Sequence, residues 1–313
     1  MGLNKVGKVY LIGAGPGNPE LLTRKAERLI RKADVILYDR LVNPFIIQMV
    51  SPGVEIIDVG KKPYHKHIQQ EEINKLLVDA AYSHHCVVRL KGGDPAIFGR
   101  THEEVSALNK QNIECEIVPG ITSASAAVAS MKQGLTARQI ATHVTYTTGH
   151  FCKMHTDKVE LDKLLSGGTL AIYMGIRNLK TIMHEIYQQT KKDYPVVVIY
   201  NVSTYKEKLI QGTVTTIDQL IETQSCSFMP GVVLVGDLMA ELPCVTSLSQ
   251  SQTKSYLITG EHQSALEKAL SLYSEGHFCL IDVIDTSIYH KTQIEFMNDI
   301  KEQYLFDEHI KLM

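Results

Sequence analysis

The stretch VYLIGAGPGNPELLTRKAERLIRKADVILYDR, residues 9–40, decides the fold class of this 313-residue chain. It begins with an apolar run that is typical of a buried strand, and a glycine-rich turn follows. Apolar residues then recur with helical spacing up to a second apolar run, VILY, which leads directly to Asp39. A strand, a helix and a strand in this order indicate a β-α-β unit, and such a unit requires a parallel sheet.

Three residues mark the start of the helix in this unit. Asn18 can cap it, Pro19 suits its first position, and Glu20 places a negative charge at the positive end of the helix dipole. The apolar spacing then continues to Ala33. The sequence therefore predicts one helix that begins at Pro19.

The alternation of strand-like and helix-like segments continues and predicts two α/β domains. Helices are expected from PGITSASAAVASM and over 71–82, 101–111 and 177–190, and strands over 87–91, 115–118, 169–175, 195–203 and 231–238. The pattern becomes irregular around 132–146, where we place the domain junction. The expected limits are 1–134 for an N-terminal α/β domain and 135–245 for a C-terminal α/β domain.

Residues 246–313 form a linker and a C-terminal extension. The linker is rich in Ser, Thr and Gln, and the extension reads as strand, helix (262–275), strand and helix (291–303). The extension is small for an independent domain, so it either packs on the body or is a partial domain.

The composition is that of an ordinary globular protein, with 44% hydrophobic residues and a mean hydropathy of −0.05. A net charge of −2 provides no general attraction to nucleic acid or to an anionic membrane. We find no signal peptide and no apolar segment near the ~20 residues that a membrane span needs. These features predict a cytoplasmic protein without a nucleic-acid or membrane partner.

The 6 cysteines are scattered and contain no CxxC pair, so neither a disulfide framework nor a zinc site is expected. The histidines at 65, 67, 84 and 85 have no acidic or cysteine partner at metal-binding spacing. The sequence therefore predicts no metal.

The turn GAGPGN, followed by Asp39 at the end of the next strand, is similar to a dinucleotide-binding site. The details argue against that interpretation. The glycines stand at 13, 15 and 17, so the third comes one position early, and Pro16 removes a backbone N–H that a pyrophosphate would use. A tight turn that needs glycine for its dihedral angles is a simpler alternative.

Seven motifs in order carry a family resemblance: VYLIGAGPGNPELLTRKA, DVILYDRLV, VGKKPYHKHIQQEEIN, RLKGGDPAIFGR, VPGITSASAA, TTGH and TLAIYMG. Together, over about residues 6–240, they resemble the tetrapyrrole methylases. The YDRLV and VGKK motifs resemble most closely the branch that methylates uroporphyrinogen III, which includes the methylase half of sirohaem synthase.

The resemblance implies a two-domain tetrapyrrole-methylase fold with S-adenosylmethionine (SAM) bound in the interdomain cleft, in a homodimer. The implied reaction methylates two ring carbons of uroporphyrinogen III, releases S-adenosylhomocysteine (SAH), and yields a dimethylated precorrin for sirohaem and cobalamin. Two alternatives stay open: another precorrin or corrinoid methyltransferase, and a non-catalytic regulator that binds SAM or a tetrapyrrole. The extension could then be a shortened uroporphyrinogen-III synthase domain or a support for the dimer.

Transfer of a methyl group from a sulfonium to carbon is a direct displacement, which requires positioning, a base and an acid but no metal. Asp39 suits the base because it follows a strand at the edge where α/β sheets bind ligands. Lys61 suits the acid or an electrostatic partner, and both residues match motifs of the family. The alternatives are a carboxylate that caps the next turn and a solvated surface lysine.

The implied substrate carries many carboxylates, so its site must supply cations. Arg40, Arg100 and Arg138 are the candidates, together with Glu103, which matches the family pattern FGR..EE. Lys62 lies in the VGKK motif, and Arg89 and Lys91 share one face of a strand, where they either meet substrate or are structural.

The resemblance also supplies the candidates for binding SAM: Pro16, Gly92, Gly93, Asp94, Ile97, Thr122, Ser123, Met174 and Val202. Glycine lets a backbone approach a ligand closely, whereas Met174 could equally be a core residue. The sequence departs from the family pattern at Asn18, Thr101-His102, Ala137 and Val202. These departures could adjust the substrate fit or weaken activity without changing the class.

Overall fold

The computed structural model describes residues 6–60, 68–149, 160–224, 229–241 and 253–312. By their contacts, the described residues fall into two compact units. The first unit lies within Met1–Thr122 and Gln252–Met313, and the second within Ser123–Ser251. The C-terminal extension therefore belongs to the unit that contains the glycine-rich turn. The sequence-based domain limits at 134 and 245 stay predictions.

The first unit contains the parallel sheet that the β-α-β pattern predicts. Its strands are β1 (Lys8–Gly13), β2 (Val35–Tyr38), β3 (Glu55–Asp58), β4 (Cys86–Lys91) and β5 (Cys115–Val118). Their order is β3-β2-β4-β1-β5, and every neighbouring pair is parallel. All five carboxyl ends consequently lie along one edge of the sheet, which we call the carboxyl edge.

The helices of this unit are α1 (Arg24–Ile30), α2 (Pro44–Gln48), α3 (Gln70–Ser83) and α4 (Thr101–Lys110). The prediction of one helix from Pro19 is wrong. Asn18 caps only a 3-10 turn over Pro19–Leu21, and Leu22 is extended. Thr23 then caps α1 by accepting a hydrogen bond from Ala26 N at 3.1 Å. A second capping residue therefore starts a second helix.

The core of the first unit follows from how side chains repeat, every second residue along a strand and every three to four residues along a helix. The central strands are buried on both faces, and alternate residues such as Leu11 and Leu37 share one face, where they pack in a single cluster. Ile73, Leu77 and Ala80 recur with helical spacing along α3 and pack in the same cluster. The strands and helices therefore form the core, and the loops that follow the strands form the carboxyl edge.

The second unit has a mixed sheet of order β6-β7-β10-β8-β9. Its strands are β6 (His143–Thr148), β7 (Gly168–Tyr173), β8 (Pro195–Tyr200), β9 (Lys208–Thr213) and β10 (Gly231–Val235), and its helices are α5 (Ser123–Ser130), α6 (Leu161–Leu165), α7 (Leu179–Thr190) and α8 (Ile217–Thr223). Strand β6 is parallel to β7, whereas the other pairs are antiparallel. The sequence did not indicate β6, because its half-buried residues form no apolar run.

The C-terminal extension, residues 253–312, is a small parallel sheet with two helices. It contains β11 (Ser255–Gly260), α9 (His262–Ser274), β12 (Phe278–Val283), α10 (Lys291–Gln303) and β13 (Glu308–Lys311), with strand order β12-β11-β13. The first four of these elements were predicted, and β13 was not.

The extension packs on the rest of its unit through strand edges. The Gln48 side chain donates to Ile281 O at 2.7 Å and accepts from Ile281 N at 2.9 Å, so it pairs with the edge of β12. Ile56 N, on the edge strand β3, donates to Thr292 Oγ1 at 3.0 Å. Two strand edges that would otherwise be open are thus covered.

Within the described ranges, no helix is long and apolar enough to cross a membrane. Among the same residues, no group of three or more His, Cys, Asp or Glu could hold a metal ion. Cys86, Cys115 and Cys279 are free thiols.

Replacing Gln48 by Ala tests this docking. The change leaves the N–H and the C=O of Ile281 without their buried partner, so we expect the free energy of unfolding to fall by about 2–4 kcal/mol. The measurement is urea denaturation followed by circular dichroism. Gln263→Ala is the matched control, because the Gln263 side chain donates to the exposed Glu267 in its own helix. Equal denaturation midpoints for the two variants would contradict the role of Gln48.

Candidate functional site

The loops after β1 and β4 are joined at the carboxyl edge. Gly93 N donates to Gly15 O at 2.7 Å, and Gly15 N donates to Gly93 O at 3.2 Å. Both glycines have φ of +70°, a left-handed conformation that side-chain-bearing residues rarely adopt. The dihedral angles alone therefore explain why glycine stands at these two positions.

A third loop, after β5, meets the other two. A Cβ atom on Gly13 would lie 2.6 Å from Gly120 Cα and 2.7 Å from Gly93 O. A Cβ atom on Gly92 would lie 3.1 Å from Leu41 Cβ, in the loop after β2. The glycines thus let the loops touch one another, which is a reason that the sequence did not reveal. Close approach to a ligand stays a prediction.

The candidates for SAM in the first unit gather at this edge. Pro16, Ile97 and Thr122 are half-buried, and Thr122 Cα lies near the position of a Cβ on Gly93. Asp94 Oδ1 accepts a hydrogen bond from Ala96 N at 2.8 Å, which closes a turn in the loop after β4. The structure therefore brings these three residues together with Gly92, Gly93 and Asp94.

Asp39 follows β2 at the same edge, and a buried arginine binds its carboxylate. Arg89 Nη2 donates to Asp39 Oδ1 at 2.7 Å; the arginine side chain is 2% exposed and the aspartate 33%. The turn after β2 is closed by the backbone, since Val42 N donates to Asp39 O at 3.1 Å. Among the residues that the structure describes, no backbone N–H donates to the carboxylate, so it does not cap this turn. Among the described residues, nothing hydrogen-bonds Asp39 Oδ2.

Behind Asp39 lies a buried chain of alternating charges. Glu104, whose side chain is 0% exposed, accepts from Arg89 Nε at 3.1 Å and from Lys91 Nζ at 2.7 Å. Burial and the neighbouring charge of Arg89 lower the pKa of Lys91, while Glu104 opposes that shift. Arg89 and Lys91 therefore point the same way, as their alternation indicated, and both bind Glu104.

Sequence reasoning overlooked Glu104. A signal for it was present: Thr101, Glu104 and Leu108 share one face of α4, and all three are buried. A carboxylate on the buried face of a helix requires cations opposite it, which Arg89 and Lys91 supply. The sequence-based choice, Glu103, lies one residue earlier and faces outward.

Arg100 and Glu103 form an exposed pair. Arg100 Nε donates to Glu103 Oε1 at 2.9 Å, and this hydrogen bond lowers the pKa of Glu103. Phe98 (φ 53°) and Arg100 (φ 54°) are both left-handed, and Arg100 directly precedes α4 in that conformation. Two such residues so close together indicate strain of the kind found at functional sites.

Arg40 is exposed and lies beside the VGKK motif. A Cβ atom on Gly60 would overlap the Arg40 side chain, so glycine lets the loops after β2 and β3 touch. Lys61 and Lys62, which follow Gly60, lie outside the described residues.

In the second unit, the TTG and YMG motifs meet where the parallel pair β6–β7 ends. Gly149 N donates to Tyr173 O at 2.7 Å, and a Cβ on Gly149 would lie 2.8 Å from Met174 O. Met174 is left-handed (φ 54°) and 54% exposed. It is therefore a surface residue, and the alternative of core packing is wrong.

The other candidates of the second unit differ in exposure. Ser123 is half-buried at the start of α5, and Arg138 is exposed in a turn closed by a backbone pair between Ala137 and Ala141. Val202 is only 4% exposed, so its side chain belongs to the interior. Any ligand contact at Val202 would involve its backbone.

Comparisons with known proteins agree on one family. The family profile described as Tetrapyrrole (Corrin/Porphyrin) Methylases matches residues 8–218, so the C-terminal extension lies beyond it. The chain is 43% identical over 236 residues to the uroporphyrinogen-III C-methyltransferase of Cyanidium caldarium, covering 74% of this chain and 93% of the relative. It is 42% identical to that of Methanocaldococcus jannaschii, covering 74% and 97%.

Solved structures show the same likeness. One is uroporphyrin-III C-methyl transferase from Thermus thermophilus complexed with S-adenyl homocysteine, at 35% identity and a TM-score of 0.63, covering 75% of this chain and 99% of that one. Another is cobalt precorrin-4 methyltransferase, at 31% identity and a TM-score of 0.65, covering 74% and 95%.

Replacing Glu104 by Gln tests the buried charge chain. Because the change leaves two buried cations without their carboxylate, we expect the free energy of unfolding to fall by about 3–5 kcal/mol. Glu103→Gln is the control in the adjacent position, where an exposed pair contributes at most about 1 kcal/mol. Denaturation curves of both variants give the comparison, and a similar small loss in each would refute the role of Glu104.

Proposed function

This chain belongs to the tetrapyrrole methylase family, and we propose that it is a uroporphyrinogen-III C-methyltransferase that uses SAM as its methyl donor. It methylates two ring carbons and gives a dimethylated precorrin, from which sirohaem and cobalamin are made. The observation that carries the proposal is Asp39, held by the buried Arg89 at the edge where the glycine-rich loops meet. Relatives of that name at 43% and 42% identity support the choice of substrate.

The residues of the carboxyl edge suit SAM. Gly92 and Gly93 expose backbone without side chains, Ile97 offers apolar surface, and Thr122 offers a hydroxyl group. We assign these residues to the methyl donor with Pro16 and Asp94, and from the second unit Ser123, Met174 and Val202. When bound, SAM supplies a methyl group that is activated by a positive sulfur.

The proton balance of the reaction requires a base, and we assign this role to Asp39. For each methyl group added, one carbon–carbon bond forms on the macrocycle while the sulfur–methyl bond of SAM breaks and SAH leaves. The macrocycle takes over the positive charge of the sulfonium and must release one proton to become neutral again. Asp39 Oδ2 accepts that proton, while Arg89 keeps the carboxylate oriented through Oδ1. Lys61 is proposed as the acid or electrostatic partner of the site, and as an acid it would take back from one position of the macrocycle the proton that it gives to another.

The substrate side is proposed to be cationic. Arg40, Arg100 and Arg138 are exposed, and a guanidinium binds a carboxylate through two parallel hydrogen bonds. Glu103 orients Arg100 through their pair. The resemblance further implies a cytoplasmic homodimer, and light scattering of the purified protein tests its dimeric state.

Replacing Asp39 by Asn tests the base. The amide keeps the shape of the side chain but cannot accept the proton, so we expect turnover to fall by at least about a hundredfold. The assay is anaerobic transfer of labelled methyl from SAM to enzymatically made uroporphyrinogen III, with SAH affinity measured by calorimetry. SAH affinity should stay unchanged.

Asp79→Asn, on the exposed side of α3, is the control. Unchanged turnover in the Asp39 variant would exclude its role as base. A wild-type protein that binds SAH but transfers no methyl group would favour the non-catalytic alternative.

Replacing Arg89 by Lys tests the orientation of Asp39. Lysine keeps a positive charge near Glu104 but lacks the fork that reaches both carboxylates. We expect kcat to fall by roughly ten- to a hundredfold because Asp39 is no longer held in place, with SAH affinity unchanged. Arg28→Lys, an exposed position on α1, is the control. A wild-type kcat in the Arg89 variant would overturn this role.

A further inference from the structure

The C-terminal extension lies directly on the segments that support the site. Its helix α9 packs against the 3-10 turn Pro19–Leu21, which follows the glycine-rich loop. Its strand β12 packs against α2, which follows the loop of Asp39. The extension therefore contacts the supports of two loops whose residues we assign to the reaction.

A chain of hydrogen bonds joins the extension to the glycine-rich loop. Tyr273 OH donates to Cys279 O at 3.0 Å and accepts from Asn43 Nδ2 at 3.2 Å. Asn43 Nδ2 also donates to Gly17 O at 2.8 Å, while Asn43 Oδ1 accepts from Phe45 N at 2.9 Å. Both N–H groups of the amide and its oxygen are thus engaged.

The partners determine how the Asn43 amide is oriented. Gly17 O can only accept and Phe45 N can only donate, so the nitrogen faces the loop and the oxygen faces α2. Because its own proton goes to Cys279 O, the Tyr273 hydroxyl meets Asn43 as an acceptor. The direction of every hydrogen bond in the chain is therefore defined.

Tyr273 is held rigidly. The residue is 6% exposed, and its ring packs on Phe45 and Phe278 at centroid distances of 4.9 and 6.3 Å. Burial raises the pKa of Tyr273, so its hydroxyl stays protonated. Loss of that hydroxyl would leave Cys279 O and one N–H of Asn43 without their partner.

The carbonyl of Gly17 is an important anchor for its loop. Pro16 and Pro19 have no backbone N–H, so this half of the loop has few donors with which to bind other elements. On the other side, Gly15 is paired with Gly93. Pro16 therefore lies between two anchors, and Asn43 supplies the second.

We propose that Tyr273 is a positioning residue for the methyl donor: it orients Asn43, which holds Gly17 and with it the loop of Pro16. The extension thereby takes part in donor binding, although it lies beyond the region that the family profile matches. This inference rests on the proposed function, since it requires that the loop of Pro16 contacts SAM.

The test is Tyr273→Phe in the 313-residue chain. Because one hydrogen bond is lost and the ring is kept, we expect SAH affinity to fall about three- to tenfold and the KM for SAM to rise by the same factor. The kcat at saturating SAM and the KM for uroporphyrinogen III should not change. Tyr289→Phe is the matched control, because it removes an extension hydroxyl that bonds His262 and not the loop.

Asn43→Asp is a second test of the same chain of hydrogen bonds. Aspartate keeps the oxygen that accepts from Phe45 N but has no N–H for Gly17 or Tyr273. We expect it to weaken SAH binding at least as much as Tyr273→Phe, and the double variant should bind like Asn43→Asp alone. Additive losses would show that the two side chains act separately and would overturn the chain of contacts.

Two further outcomes separate this inference from the proposed function. Wild-type SAH affinity in Tyr273→Phe, or a fall in kcat that parallels the rise in KM, overturns the positioning role. Gly93→Ala tests the donor site itself, since alanine is strained at φ +70°. If Gly93→Ala binds SAH normally, the assignment of the loops to SAM fails, and the inference fails with it.

Discussion

The burial of Glu104 is the constraint around which the first unit is arranged. A carboxylate without access to solvent requires charged partners, and β4 supplies Arg89 and Lys91 from alternate positions on one face. These contacts fix how α4 lies on the sheet. Arg89 also reaches Asp39 at the end of β2, so the same charge chain connects a helix, two strands and the residue we assign as base.

The loops above this charge chain are joined by backbone rather than by side chains. Gly13, Gly93 and Gly120 bring three loops into contact, and the pairing of Gly15 with Gly93 links two of them. Because these contacts involve no flexible side chain, the shape of the edge is set by the backbone. A preorganised edge suits methyl transfer, in which the protein contributes mainly by positioning.

The extension adds a third kind of support. The extension covers the edge of β3, and Gln48 covers the edge of β12, which belongs to the extension. The docking therefore satisfies backbone groups both in the extension and in the sheet on which it packs. The same docking places Tyr273 against Asn43, within reach of the glycine-rich loop. A segment outside the family profile is thereby coupled to the part of the fold that the family shares.

The sequence by itself determined the α/β class, the parallel sheet, most of the elements and the family, because side-chain periods and loop motifs are local patterns. It also indicated the carboxyl edge, where Asp39 and the glycines meet. Only the tertiary structure decided that the first helix divides at Leu22, that β6 exists, that Glu104 binds Arg89 and Lys91, and that Tyr273 binds Asn43. Each of these depends on partners distant in the chain, such as Tyr273 beside Asn43, and no local pattern specifies such a pairing.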